Sequence, residues 1–182
     1  MGKSALVTNI LHNIAMFSKV PVLLFSLEMP KSQIVLRMLS SETGIPYSML
    51  RNGEIGNWEP VIQAMTRMKY MPFHVIDKRG LQVNAIKAEA RKIKNEIPDL
   101  GLIAIDYVQL VGASRRYGSR EQEVADVTRN LKILAGELNV PVILCSQINR
   151  QHETNGDKRP QMSSLRESGA VSYTHLTLPT KA

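Results

Sequence analysis

The sequence contains a single cysteine, Cys145, so no internal disulfide can form. That residue sits in the apolar run PVILCS and reads as a small buried side chain of a reduced, cytosolic protein. No apolar run reaches the roughly 18 residues needed to cross a bilayer. No charged leader followed by an apolar stretch opens the chain, so no secretory signal is expected and the protein is placed in the cytoplasm. His12, His74, His152 and His175 stand at no metal-ligand spacing, and with one cysteine they exclude an ordinary zinc site. Internal repeats and low-complexity stretches are also lacking.

What is present is a chain of 182 residues, 43% apolar and 21% charged, enough for one domain with a sizeable core. The formal charge of +7 favours a polyanionic partner such as nucleic acid or nucleotide, although many basic proteins bind neither.

Short continuous apolar runs alternate with helical patterns, the signature of an α/β fold with a mostly parallel central sheet flanked by helices. Residues 4–18 read as a helix with Leu6, Ile10, Leu11, Ile14 and Phe17 on one stripe. VPVLLFS, residues 20–26, reads as a strand buried on both faces. Pro30 opens a helix that Gly44 stops, and residues 45–71 form one or two helices broken near Gly53 and Gly56. Residues 73–77 are a candidate strand and 83–97 an amphipathic helix ended by Pro98. LIAIDYVQL, residues 102–110, reads as a second buried strand. After a basic loop, residues 112–118, Ser119 and Gln122 form a capping box for a helix to about Leu138, followed by a strand over 141–146. Residues 148–164 read as a long polar loop. Met65 and Met68, at helical spacing, read as core.

Polar residues at the ends of apolar strands carry the chemistry, because ligands of open α/β sheets bind at the carboxyl edge. The opening Met1-Gly2-Lys3-Ser4 matches the last positions of a phosphate-binding loop, G-x-x-x-x-G-K-[ST]. There Lys3 would reach the β and γ phosphates and the Ser4 hydroxyl would bind Mg²⁺; the alternative is an accidental tripeptide. Asp106 would hold Mg²⁺, or is a solvated acid in a turn. Glu28 in FSLEMP would orient or deprotonate an attacking water, or serves the N-terminal dipole of the next helix. Gln147 would sense the γ-phosphate, or caps a strand. Arg115, Arg116, Arg120, Arg150, Lys158, Arg159 and Arg166 fall in loops that could follow a nucleic-acid backbone, or form a solvated basic surface.

The order of these motifs is more specific than any one of them: MGKS, FSLEMP, IDYVQL, SQINR and KRPQMSSLRESG. In that order they resemble the motor domain of the DnaB family of replicative DNA helicases, from Met1 to about Ala170. The resemblance implies a RecA-like P-loop ATPase working as a ring of six, with ATP and Mg²⁺ as cofactors. It implies 5′→3′ movement on single-stranded DNA with duplex unwinding, and a primase and a helicase loader as partners. On the matching positions, Gly2, Lys3, Ser4 and Ala5 hold nucleotide and Ser4 and Asp106 hold Mg²⁺. Glu28 and Gln147 are catalytic, and Arg166, Glu167 and Gly169 hold the DNA backbone.

Two departures from the family pattern stand out. The first glycine of the phosphate loop and the strand before it would precede Met1. The end, residues 171–182 (VSYTHLTLPTKA), lacks the family's acidic stretch and its basic finger, and reads as a non-family tail, disordered or artefactual. The 182-residue chain is therefore expected to be a weak or inactive ATPase. Two other readings remain: another RecA-like DNA-dependent ATPase (a recombinase or a RadA-type repair factor), and a non-catalytic binding module on a degenerate ATPase fold.

Overall fold

The computed structural model describes residues 2–115 and 117–147. Four strands form one sheet in the order β2-β1-β3-β4: β1 (Val22–Ser26), β2 (Phe73–Ile76), β3 (Leu102–Asp106) and β4 (Val142–Leu144). Every pairing is parallel, with Val22 opposite Phe73, Ser26 opposite Asp106 and Ile105 opposite Leu144. This register brings the carboxyl ends of all four strands to one edge.

The two central strands are apolar throughout because both faces are covered. Side chains alternate across a strand, so Leu23, Phe25, Ile103 and Ile105 face one way. They meet α5 (Val83–Glu96) and α6 (Arg120–Leu138) through Val83, Ile86, Val127, Leu131 and Leu134. Val22, Leu24, Leu102 and Ala104 face α1 (Lys3–Asn13) and α2 (Lys31–Thr43), meeting Val7, Leu11, Ile34 and Met38. A satellite cluster of Leu39, Leu50, Val61 and Ala64 joins α2 to α3 (Tyr47–Asn52) and α4 (Glu59–Met68).

The connection from β1 out to β2 begins with α2 on the α1 face, and the return from β2 to β3 runs through α5 on the other. The winding thus reverses between β1 and β3, which makes the gap beyond their carboxyl ends the topological switch point, the usual ligand crevice of such sheets.

Local signals account for most boundaries. Gly44 and Gly53 end their helices at φ 72° and 75°, left-handed values open to glycine. Ser119 Oγ accepts the Gln122 N–H at 3.3 Å, capping α6 as the motif predicts.

Three expectations are corrected. The first helix is α-helical only to Asn13 and continues as a π-turn over Ile14–Ser18. Its core stripe is Val7, Leu11 and Ala15, while Leu6 and Phe17 are 63% and 75% exposed. The stripe starting at Leu6 competes with one starting at Val7, and contact with the sheet selects the second. The run LIAIDYVQL is not one strand. β3 stops at Asp106, whose carbonyl accepts the Leu27 N–H at 3.0 Å, and a 3₁₀ turn follows over Val108–Leu110. Met65 is 55% exposed, whereas Met68 is partly buried against the core. Among the described residues no helix is long and apolar enough to cross a membrane.

Candidate functional site

The start of α1 stands over the end of β3. Gly2 precedes the helix at φ 122°, a conformation that L side chains rarely adopt. Its carbonyl accepts the Leu6 N–H at 2.9 Å. No side chain caps this terminus and no acid lies in its first turn. The N–H groups of the first turn and the helix dipole therefore favour an anion there. Lys3 and Ser4 are half-buried, and Gly2 and Ala5 are exposed.

Lys3 Nζ lies 3.8 Å from the centre of the Tyr107 ring, a cation–π contact that holds it beside Asp106. Asp106 is buried, and its Oδ1 has no hydrogen-bond partner among the described residues. A buried carboxylate oxygen left unsatisfied is costly, so such an atom calls for a ligand. The Cys145 thiol shares this neighbourhood. Burial pushes its pKa up to about 11, the Asp106 carboxylate adds to the rise, and the Lys3 ammonium opposes it. The thiol therefore stays protonated at neutral pH.

Glu28 is exposed immediately beyond Leu27, which is bonded to Asp106. Ser26, opposite Asp106, donates its hydroxyl to the Met29 carbonyl at 2.7 Å and so shapes the turn that carries Glu28. Gln147 is exposed just past β4. The sheet edge thus gathers Gly2, Lys3, Ser4, Ala5, Glu28, Asp106 and Gln147 near the switch point. Arg166, Glu167 and Gly169 lie outside the described residues, as do the long loop and Arg116, Arg150, Lys158 and Arg159.

Two of the basic loop residues make contacts within the chain. Arg120 donates to the Glu123 carboxylate and to the Gln109 carbonyl. Arg115 stacks over Tyr117 with 5.0 Å to the ring centre. Sequence reasoning also passed over Tyr107 and Gln109. The polar Gln109 inside an apolar run was the available signal.

The residues fit a magnesium nucleotide. A carboxylate and a hydroxyl are hard oxygen donors of the type Mg²⁺ prefers, and a lysine with a helix N-terminus suits phosphate. Among the described residues no group of three or more His, Cys, Asp or Glu could hold a metal alone. Mg²⁺ at phosphate sites commonly needs only one or two carboxylates.

A groove of about 560 Å³ lies apart from these residues, between α2, α4 and β2. Its walls are apolar, including Ile34, Met38, Ile62, Met65 and Phe73.

An all-parallel sheet covered on both faces, with an acid at the switch point facing a glycine-led helix, is the architecture of a RecA-like ATPase domain. One solved structure, described as an ATPase domain, superimposes with a TM-score of 0.89 at 31% identity, covering 95% of this chain and 62% of that one. A DnaB-like replicative helicase, described with its interactions with primase, also gives 0.89 at 31% identity, covering 96% of this chain and 42% of that one.

The chain belongs to the DnaB-like helicase C-terminal domain family, whose model matches residues 1–174. The replicative DNA helicase DnaB of Nostoc sp. is 43% identical over 94% of this chain and 20% of its own length. DnaB of Geobacillus stearothermophilus is 41% identical over 94% of this chain and 38% of its own length. The replicative DNA helicase DnaC of Bacillus subtilis gives the same identity and coverage. The chain thus spans between a fifth and two fifths of the curated relatives it matches. These matches favour the helicase reading over a recombinase, a repair factor or a scaffold.

Proposed function

We propose that this chain is the motor part of a replicative DNA helicase, coupling ATP hydrolysis to 5′→3′ translocation on single-stranded DNA and to duplex unwinding. The observation that carries the proposal is the buried Asp106 Oδ1, without a partner among the described residues and beside Lys3 at the switch point. Family membership and the names of the relatives support the helicase reading.

In this reading residues 1–170 form the motor domain and 171–182 lie outside it. The N–H groups of Lys3, Ser4 and Ala5 bind phosphate, and the Lys3 ammonium leaves the Tyr107 ring to balance the β and γ charges. Gly2, lacking Cβ, lets the backbone approach. Ser4 Oγ and the Asp106 carboxylate would hold Mg²⁺, directly or through water. The metal would neutralise charge on the β and γ oxygens and orient them for in-line displacement. Glu28 positions the attacking water and accepts its proton. Gln147 reports the state of the γ-phosphate to the polar segment that follows it. Arg166, Glu167 and Gly169 hold the DNA backbone, where a glycine permits close approach of phosphate.

The working form is a ring of six in the cytoplasm, with single-stranded DNA, a primase and a helicase loader as partners. One neighbour of known structure is described with primase, which supports that partner.

The test is DNA-stimulated ATP hydrolysis and strand separation by the full-length protein, with strand exchange measured in parallel. Unwinding that Lys3→Ala abolishes is the expected result. Strand exchange without unwinding would overturn the proposal.

A further inference from the structure

We infer that Gln109 is a positioning residue whose side-chain amide fixes Gln147, and so ties the far end of β4 to the turn that carries Asp106. The inference rests on the proposed role of Gln147 in coupling nucleotide state to DNA.

Backbone pairing of β3 with β4 runs out at Cys145. Its N–H donates to the Ile105 carbonyl at 3.0 Å, and its own carbonyl accepts the Val108 N–H at 2.9 Å. Past that point β3 has turned into its 3₁₀ segment, and Gln147 would leave the sheet with no strand beside it. Gln109 fills that place. Its Oε1 accepts the Gln147 N–H at 3.2 Å, and its Nε2 donates to the Gln147 carbonyl at 3.1 Å and to Ser146 Oγ at 3.0 Å. The side-chain amide thus imitates one residue of a neighbouring strand, gripping the N–H and the C=O of the same residue. With both groups held, the Gln147 backbone is fixed while its side chain stays exposed.

Gln109 is itself anchored. The Leu110 N–H donates to the Tyr107 carbonyl at 3.0 Å and closes the turn. Arg120, at the start of α6, donates to the Gln109 carbonyl and to Glu123. Asp106, Gln109 and Gln147 are therefore linked by hydrogen bonds and one tight turn, with no flexible segment between them. A displacement of the Asp106 turn on nucleotide binding or hydrolysis is passed to Gln147 as a rigid movement.

The experiment compares the full-length wild type with Gln109→Met, which keeps length and removes every polar contact. Removing three neutral hydrogen bonds at a lever should lower the DNA-stimulated kcat by about tenfold. The KM for ATP, the DNA-free rate and the melting temperature should stay close to wild type. Amide hydrogen exchange at Gln147 should speed up in Gln109→Met, while the Cys145 amide, paired with Ile105, stays protected. DNA stimulation equal to wild type, unchanged exchange at Gln147, or an equal fall in the DNA-free rate would each overturn the inference. A wild type showing no DNA stimulation would sink the proposed function and this inference with it. A stimulated wild type matched by Gln109→Met sinks this inference alone.

Discussion

The carboxyl edge of the sheet and the groove between α2, α4 and β2 are built by opposite rules. At the carboxyl edge of β1 and β3, polarity is left without full satisfaction: the buried Asp106 Oδ1 has no partner among the described residues and the half-buried Lys3 rests on an aromatic ring. Between α2, α4 and β2, apolar side chains are exposed without full burial, with Ile62 and Met65 each 55% accessible. The first arrangement costs stability and supplies a ligand with unsatisfied groups. The second leaves neighbouring apolar side chains in contact with water and offers no buried unsatisfied polar atom among the described residues. In the proposed reading, unsatisfied polarity marks the nucleotide site.

The groove gives the largest expected effect on folding. Ile34 is buried at its floor, so Ile34→Ala should destabilise the protein by about 2–5 kcal/mol, read from chemical denaturation. Met65→Ser on the same wall should stay within about 0.5 kcal/mol of wild type. Equal losses from both would mean that the groove is closed in solution and would break the comparison.

At the sheet edge, Lys3→Ala should lower the kcat of ATP hydrolysis in the full-length protein by about 100-fold, as loss of a positioned charge donor does elsewhere. Steady-state kinetics checks this, and the melting temperature should hardly move, since Lys3 contributes only a partly exposed cation–π contact.

Asp106→Asn sharpens the contrast further. Removing a buried charge that lacks a full set of partners should raise the stability of the nucleotide-free protein by about 1 kcal/mol while abolishing stabilisation by Mg²⁺-nucleotide. Thermal melts with and without Mg²⁺-nucleotide read both halves, and a destabilised nucleotide-free variant would contradict the account.

The smallest effect concerns His12, buried in α1. Its Nε2 lies 3.5 Å from Glu42 Oε1 and makes no hydrogen bond among the described residues. Burial lowers its pKa below 6.5, and Glu42 opposes the shift without reversing it. The folded state therefore favours the neutral imidazole. The stability this contributes is complete above pH 6.5 and is lost as the pH falls from there through the folded pKa. His12→Phe should flatten that part of the pH–stability profile. An unchanged slope would assign the acid sensitivity to another group.

The sheet edge was legible in the sequence because Asp106 and Glu28 interrupt or follow apolar runs, where a buried strand tolerates no idle polar group. Capping residues and glycines placed α2, α3 and α6 for similarly local reasons. The stripe of α1 was misread because Leu6, Ile10 and Phe17 have helical spacing as good as that of Val7, Leu11 and Ala15. Only contact with the sheet chooses between them. Met65 was misassigned for the same reason: helical spacing marks a face without saying whether anything covers it. The roles of Tyr107 and Gln109 depend on the end of β3 at Asp106 and on what β4 brings alongside, which no single segment reveals.

The most direct measurement is a crystal structure of the full-length protein with Mg²⁺ and a non-hydrolysable ATP analogue. The account predicts the phosphates on the N–H groups of Lys3, Ser4 and Ala5, Lys3 withdrawn from Tyr107, and Asp106 Oδ1 engaged by the metal or its water. Nucleotide bound elsewhere, with Asp106 Oδ1 still unpartnered and Lys3 still on its ring, would contradict it.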